Sequence, residues 1–578
     1  MMPTVADHVI ATLQASGVDR VFGLPGDSLN GFTDAIRRAD GFTWEHVRHE
    51  EAAAFAAAGF AAVTGQLAVC AGSCGPGNLH LINGLFDAQR SRVPVLAIAA
   101  HIPAAEIGSQ YFQETHPQEL FRECSVFCEM AGTPESAVRV LQMAMRAAIE
   151  EQGVAVVVIP GEVFLQRLRE PARVRPVLPT RPIVRPDDTA LAAAAAILNQ
   201  SARITILAGA GAAGAHEQLV ELAGTLKAPV VHALRGKEYV EYDNPYDVGM
   251  TGLLGFASGY KAIKEADVLL MLGTDFPYRQ FYPEDAIVIQ VDIRGRHLGR
   301  RTPIDLGLVG TVRDTLIALH PMLVAKTDRT HLDRALGHYR RTRDRLDSLA
   351  VNDHNRTPIR PEYVAAMVNR LAGTDAVFTV DVGSPVVWAA RYLTMNGRRR
   401  LIGSFNHGTM ACALPLAIGA QTADRRRQVV ALAGDGGLTM LLGELITLVQ
   451  NRLPVKLIVF NNSSLNFVEL EMKAAGIVTF GTDLHNPDFA ELARTCGLFT
   501  RRVEHPAELE AAIADVLAHD GPALVDVVTA RNELSIPPAI TAEQAKGFSL
   551  YAIRTVLAGH SDELLDLITT NVARRILD

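Results

Sequence analysis

The chain has 578 residues, 48% of them hydrophobic and 20% charged, with a net charge of −8, which is ordinary globular material for about three or four domains. Its densest basic runs, Arg398-Arg399-Arg400 and Arg425-Arg426-Arg427, are too short for a nucleic-acid footprint, and no apolar run reaches the ~18 residues that span a bilayer. No signal-peptide pattern opens the chain; cysteines 70, 74, 124, 128, 412 and 496 form no C-x-x-C pair, and the two C-x-x-x-C spacings lack a nearby histidine cluster for zinc, so a cytoplasmic protein with reduced thiols is expected.

Residues 4 to 16 carry the apolar spacing of an amphipathic helix closed by Gly17, and Arg20 to Leu24 reads as a strand ending in Pro25-Gly26. Strand and helix alternate to about residue 180, which predicts a doubly wound α/β domain over 1–182. Within it, Trp44 to Arg48 predicts a strand that delivers His49-Glu50-Glu51 to its end, ahead of an alanine-rich helix from Ala52 to Thr64. Gly72-Ser-Cys-Gly-Pro-Gly-Asn78 is a glycine-rich loop from strand to helix, suited either to phosphate or to close packing against a cofactor. A strand over Val95 to Ala99 leads to Tyr111-Phe112-Gln113-Glu114, whose aromatic and amide either face the cleft or pack within the loop.

The proline- and arginine-rich stretch from Pro171 to Pro186 reads as a linker. A second α/β unit over 183–334 begins with the strand Ile204 to Ala208, which runs into Gly209-Ala-Gly211-Ala-Ala-Gly214. This G-x-G-x-x-G lacks its acidic partner, because the next strand, Val230 to His232, ends in histidine; a nicotinamide site is not expected. Thr251 to Gly255, Gly273 to Tyr278 and Asp292 each lie beside or end a predicted strand, and Asp292 stands where a ribose hydroxyl could be held. A polar helix over Thr330 to Ala350 opens the third unit, 335–530. There Val377 to Val380 is a strand, and Asn406-His407-Gly408-Thr409-Met410 follows another, Arg400 to Phe405. From 531 the rhythm changes. Leu550, Ile553, Val556, Leu557, Leu564, Leu565, Ile568, Val572 and Ile576 form a helical apolar stripe, suited to packing on the body or to a bilayer interface.

The rest is organised around Val429 to Phe467. Gly434-Asp435-Gly436-Gly437 follows the apolar strand Val429 to Ala433, Leu441 to Gln450 reads as a helix, and the strand Val455 to Phe460 ends in Asn461-Asn462. Both polar clusters stand at carboxyl ends of adjacent strands, the edge where open α/β sheets bind ligands. A hard cation such as Mg²⁺ takes oxygen ligands beside phosphates. Asp435, the Asn462 amide oxygen and a backbone carbonyl near Ser464 supply three, and the glycines let backbone N–H groups approach a diphosphate. This spacing resembles the GDG…NN motif of the thiamine diphosphate superfamily. That resemblance implies thiamine diphosphate and Mg²⁺, with cofactor contacts from Asn406, His407, Gly408, Met410, Asp435, Gly436, Gly437, Asn462, Ser463, Ser464, Leu465, Asn466, Phe467 and Val468. It also assigns Glu50 to the ring nitrogen of the aminopyrimidine, where a carboxyl group drives the cofactor's proton switch, and leaves Glu51 as a helix N-terminal charge. Met410 would wedge beneath the cofactor, the Gly408 carbonyl would accept from its amino group, and Phe467 would shape or close the site.

Over nearly its whole length the chain resembles the pyruvate dehydrogenase (quinone) family, the bacterial pyruvate oxidases, through stretches such as CAGSCGPGNLHLINGLFD, VHALRGKEYVEYDNPYDVGMTGLLGF, SFNHGTM and EQAKGFSLY. The resemblance implies a pyrimidine-binding domain (1–182), a FAD-binding domain (183–334), a diphosphate and Mg²⁺ domain (335–530) and a membrane-association tail (531–578). FAD contacts are implied for Gly209, Gly211, Arg235, Thr251, Gly252, Leu253, Leu254, Thr274, Asp275, Phe276, Pro277, Tyr278 and Asp292, and substrate-pocket roles for Phe112 and Gln113. The implied reaction is oxidative decarboxylation of pyruvate to acetate and CO₂ via hydroxyethyl-thiamine diphosphate, with electrons passed through FAD to ubiquinone. A homotetramer is implied, cytoplasmic and peripheral on the inner face of the cell membrane when reduced, with its tail on the lipid bilayer. The tail ends Asn571-Val-Ala-Arg-Arg-Ile-Leu-Asp578 and so departs from an anchor with a terminal tryptophan. An acetolactate synthase-like carboligase with structural FAD, and a phosphate- or oxygen-dependent pyruvate oxidase, are the alternatives.

Overall fold

The structure, a computed structural model, describes residues 3–168, 173–351, 357–531, 533 and 550–551. Three six-stranded sheets follow one another along the chain, and every pairing between their strands is parallel. The first holds β1 (Arg20–Gly23), β2 (Thr43–His46), β3 (Ala68–Gly72), β4 (Val95–His101), β5 (Phe127–Met130) and β6 (Val154–Pro160) in the order β2-β1-β3-β4-β6-β5. The second holds β7 (Ile204–Ala208), β8 (Val230–His232), β9 (Asp247–Met250), β10 (Val268–Leu272), β11 (Ile287–Asp292) and β12 (Leu306–Val309) in the order β12-β11-β10-β7-β8-β9. The third holds β13 (Val377–Val380), β14 (Arg400–Gly403), β15 (Val429–Gly434), β16 (Lys456–Asn461), β17 (Phe499–Val503) and β18 (Ala523–Val528) in the order β14-β13-β15-β16-β18-β17. First and third sheets share one strand permutation, so the architecture is duplicated although the two sequences show no repeat.

Parallel strands need helical crossovers that cover both faces, and their interiors become continuous apolar runs. VLAIAAH in β4 and VAVVVIP in β6 are buried throughout. Two helices fuse the outer domains. These are α1 (Glu50–Thr64), almost entirely alanine, glycine and phenylalanine, and the equally buried α3 (Ala413–Ala423), with α2 (Pro76–Ser91) beside α1. Their backbones touch: a Cβ on Gly419 would stand 1.8 Å from the Ala56 carbonyl oxygen, and one on Gly59 2.3 Å from that of Leu416. One apolar core therefore runs from Phe22 and Cys70 of the first sheet through α1 and α3 to Ala431 and Leu457 of the third.

Some boundaries differ from the sequence reading. β2 stops at His46 because the Arg48 N–H leaves the sheet for the Glu444 carboxylate at 3.0 Å. α1 begins at Glu50 and not at Ala52, since the His49 imidazole accepts from the Glu51 N–H at 3.2 Å and caps the helix. Asp435 opens a short helix, Asp435–Met440, that is separate from Glu444–Gln450, where one helix from Leu441 was expected. Of the C-terminal tail only Arg531, Glu533, Leu550 and Tyr551 are described, so its apolar stripe otherwise lies outside the described residues. No described helix is long and apolar enough to cross a membrane.

Candidate functional site

Strand order reverses between β13 and β15, and such a switch point opens a crevice at the carboxyl ends of the strands. Asp381 follows β13, Asp435 follows β15 and Asn462 follows β16, so all three meet at that crevice. Asp435 is 3% exposed. Its Oδ1 accepts the Gly436 N–H at 2.8 Å, and its Oδ2 accepts the N–H groups of Ser463 at 2.7 Å and Asn462 at 3.1 Å and the Asn486 amide at 2.8 Å. Burial pushes its carboxyl up against these four bonds, which pull it down. Asn462 Oδ1 accepts the Ser464 N–H at 3.0 Å, which curls the 462–464 loop, and the bonds from Asn462 and Ser463 hold that loop against Asp435. The donors are oxygens only, the set a hard cation takes.

The glycines beside them are required by packing. A Cβ on Gly436 would meet Leu465 at 2.9 Å and the Met410 methyl at 3.2 Å; one on Gly437 would lie 2.3 Å from Asp381 Oδ2. Gly408 has φ +83° and faces open space. Asp381 accepts the Ala413 N–H at 2.8 Å, and burial pushes its carboxyl up to about 6. Phe467 packs on the third-domain core, while Val468 is exposed.

A second cluster forms at the matching edge of the first sheet. Glu50, 6% exposed, has its Oε2 2.8 Å from His80 Nδ1, and a Cβ on Gly77 would stand 3.1 Å from its Oε1. The imidazoles of His49 and His80 stack at 4.3 Å. Gln113, at φ +63°, accepts from the Cys74 thiol at 3.3 Å, so Glu50, the Gly72–Asn78 loop and Gln113 gather together. Phe112 is 76% exposed and does not pack in its loop. α2 links the two clusters: Asn83 donates to Glu51 at 2.7 Å and to Thr409 at 3.2 Å and accepts from His407 at 2.8 Å, while Asn406 donates to the Arg90 carbonyl at 2.9 Å. Among the described residues it is Glu51, not Glu50, that is tied to the third domain of its own chain, and the tie runs through Asn83. Among the described residues no hydrogen bond or ion pair joins Glu50 to Asp435, Gly408 or Met410.

In the second sheet the order reverses between β7 and β10. Gly209 and Gly211 press there on Gly273 and Thr274, with built Cβ atoms 2.7 Å from Thr274 Cβ and Gly273 Cα respectively. The Thr251 hydroxyl is buried with no partner among the described residues. Asp292 is buried at the end of β11, and its Oδ1 accepts the Arg294 N–H at 2.8 Å. The orphaned hydroxyl just past β9 and the buried carboxylate at the end of β11 both stand at the carboxyl edge of this sheet, the edge where open α/β sheets take ligands. Asp275 is engaged elsewhere, ion-paired to Arg301 at 2.9 Å, Arg300 at 3.3 Å and Arg92 of the first domain at 3.4 Å. Arg235 donates to the Ser91 carbonyl at 2.6 Å, and burial lowers its pKa. Around them Gly252 has φ +101°, Leu253 is partly exposed, the Leu254 carbonyl accepts from Arg391 at 3.1 Å, and Phe276 meets Tyr278 across Pro277 edge to face at 5.4 Å.

Sequence reasoning places Asp381 at the end of the strand Val377 to Val380 but gives it no role, and it passes over Asn486, His80 and Asn83, which carry no local signal.

Three family matches cover most of the chain: the N-terminal TPP binding domain of thiamine pyrophosphate enzymes at residues 3–120, their central domain at 191–319 and their C-terminal TPP binding domain at 381–527. The chain is 36% identical over 566 residues to YdaP of Bacillus subtilis (strain 168), named as a thiamine pyrophosphate-containing protein, with 98% of each chain covered. It is 32% identical over 536 residues to a pyruvate oxidase of Lactiplantibacillus plantarum, covering 90% of this chain and 87% of that one. It is also 32% identical over 552 residues to the acetolactate synthase large subunit of Parasynechococcus marenigrum, covering 92% and 88%.

Proposed function

The chain belongs to the thiamine pyrophosphate enzyme family, and on that premise we propose that it oxidises pyruvate to acetate with a quinone as electron acceptor. Pyruvate, water and quinone give acetate, CO₂ and quinol. The observation that carries the reading is a pair of buried carboxylates, Asp435 and Glu50, at the carboxyl edges of two sheets of identical strand order. Asp435, Asn462 and the Ser464 carbonyl would hold Mg²⁺, whose charge offsets that of a diphosphate. Bound thiamine diphosphate supplies the electron sink for carbon–carbon cleavage. Glu50 holds a proton at the pyrimidine ring nitrogen. Among the described residues Glu50 bonds to His80 of its own domain, and we assign it to the 406–410 and 435–468 segments of a neighbouring copy, within a homotetramer. Phe112, Gln113 and Phe467 shape the pyruvate pocket, and Gly408 and Met410 orient the cofactor.

The carboxyl edge of the second sheet, with Gly209, Thr251, Thr274 and Asp292 along it, would hold FAD, which supplies two-electron storage; Asp275 contributes through its arginine partners. Domain limits at 182, 334 and 530 follow this division of labour, and residues 531–578 carry the reduced enzyme to the inner membrane face. Anaerobic addition of pyruvate while flavin absorbance is followed, then of a ubiquinone analogue, tests the reading. Bleaching with acetate formation, reversed by the quinone, is expected. Acetolactate without bleaching would establish a carboligase instead, and reoxidation only by oxygen or with phosphate would establish the other oxidase. Flotation with anionic liposomes should depend on pyruvate; no binding in either state removes the membrane role.

A further inference from the structure

Past the cation loop the chain enters the helix Asn466–Ala474, whose buried side carries a carboxylate with no part in the chemistry above. Glu469 is 1% exposed. Its Oε2 accepts the Ser464 hydroxyl at 2.5 Å and the Arg531 Nε–H at 2.9 Å, and its Oε1 accepts from Lys473 Nζ at 2.6 Å. Each cation is held in turn. Arg531 pairs with Asp483 at 2.7 Å while its carbonyl accepts the Asn466 amide at 2.5 Å, and Lys473 Nζ stands 5.5 Å from the centre of the Tyr551 ring. Asp483 forms an antiparallel bridge with Ser464, and the flanking bonds run from Leu465 N to the Thr482 carbonyl and from Leu484 N to the Ser463 carbonyl. Ser464 is thus gripped twice, by its backbone against 482–484 and by its side chain on Glu469.

A carboxylate buried this deeply is costly unless its oxygens are filled. Two cations and a hydroxyl fill them here, which fixes the direction of the Glu469 side chain. A hydroxyl bonded to a fixed carboxylate restrains its own peptide, and therefore the carbonyl of the 462–464 loop. We propose that Glu469 is a positioning residue for the divalent cation, holding Ser464 so that the loop meets the metal in a preset geometry. The inference rests on the assignment of Mg²⁺ and thiamine diphosphate to that loop.

Full-length wild type, Glu469→Ala, Glu469→Gln and Ser464→Ala are titrated with Mg²⁺ at fixed thiamine diphosphate, with uptake read by calorimetry and kcat measured at saturating Mg²⁺. Glu469→Ala should raise the Mg²⁺ concentration for half-saturation about tenfold or more, as loss of an outer-shell partner does, with kcat at saturation close to wild type. Glu469→Gln keeps an acceptor for Ser464 and should recover part of the affinity. A folded Glu469→Ala that takes up Mg²⁺ as wild type does overturns the proposal. Should that variant not fold, Ser464→Ala decides, because it deletes the hydroxyl and leaves the ion pairs: the same shift supports the proposal, and none overturns it. Failure of wild type to take up Mg²⁺ and thiamine diphosphate overturns this inference and the proposed function together, whereas unchanged variants overturn this one alone.

Discussion

Glu444 reaches from the third domain to the turn that presents Glu50. Its Oε1 accepts the Arg48 N–H at 3.0 Å and its Oε2 the Thr447 hydroxyl at 2.6 Å. Burial pushes this carboxyl from its ordinary 4.5 up to about 7, against hydrogen bonds from Thr447, Arg48 and His49 that pull it down. Between those values the folded chain keeps a proton that the unfolded chain releases. The contribution is therefore whole below pH 4.5 and is lost as pH rises through 7, amounting to ~3 kcal/mol. Glu444→Gln retains an acceptor without the titration, so from about pH 5 to about pH 7.5 its denaturant midpoint should fall less than that of wild type, the remaining slope belonging to other raised carboxyls such as Asp381. Parallel profiles would place the pH dependence on another group. Glu50 lies just past the same turn, and Glu50→Gln removes a transferable proton without changing shape. Pyruvate turnover should drop about 100-fold or more with thiamine diphosphate uptake retained, and a wild-type rate would strip Glu50 of the proton-holding role.

At the scale of elements, the crossing of α1 and α3 is set by what the helices lack. Their alanines and glycines bring backbone against backbone, and the neighbour of a built Cβ on Gly419 is a carbonyl oxygen that no rotamer change can move. Overpacking a core usually costs ~1–3 kcal/mol, and Gly419→Ala should reach the upper end or exceed it. Thermal unfolding should show a lower midpoint for Gly419→Ala than for Gly373→Ala, where the nearest atoms are side-chain oxygens at 3.5 Å. Equal midpoints would mean that the helices can part without loss.

At the scale of the molecule, Arg400 holds three domains together from the start of β14. Its Nε donates to Glu238 of the middle domain at 2.8 Å, while Nη2 reaches the Ala62 carbonyl of the first domain at 3.0 Å and the Tyr239 hydroxyl at 3.2 Å. Glu238 also accepts the Leu401 N–H at 2.9 Å. Breaking a buried ion pair from one side leaves the other charge uncompensated and costs ~3–5 kcal/mol. Arg400→Met should therefore lower the unfolding midpoint and open the joints near 62 and 238 to limited proteolysis. Intact resistance would show that the shared core at α1 and α3 suffices to hold the domains.

What the sequence determined by itself is local: strands and helices follow from the period of apolar residues, and Asp435, Asn462 and Gly436 were legible because one strand end carries each of them within a short span. The α/β class was legible for the same reason. Tertiary structure alone decided which strand ends become neighbours. It set Asp381 against Gly437 and His80 against Glu50, turned Glu51 toward Asn83, and gave the outer sheets one strand order. Such pairings join residues from different crossovers, and the chain's local pattern carries no record of them, since strand order depends on how whole helices cover a sheet and not on any residue within it.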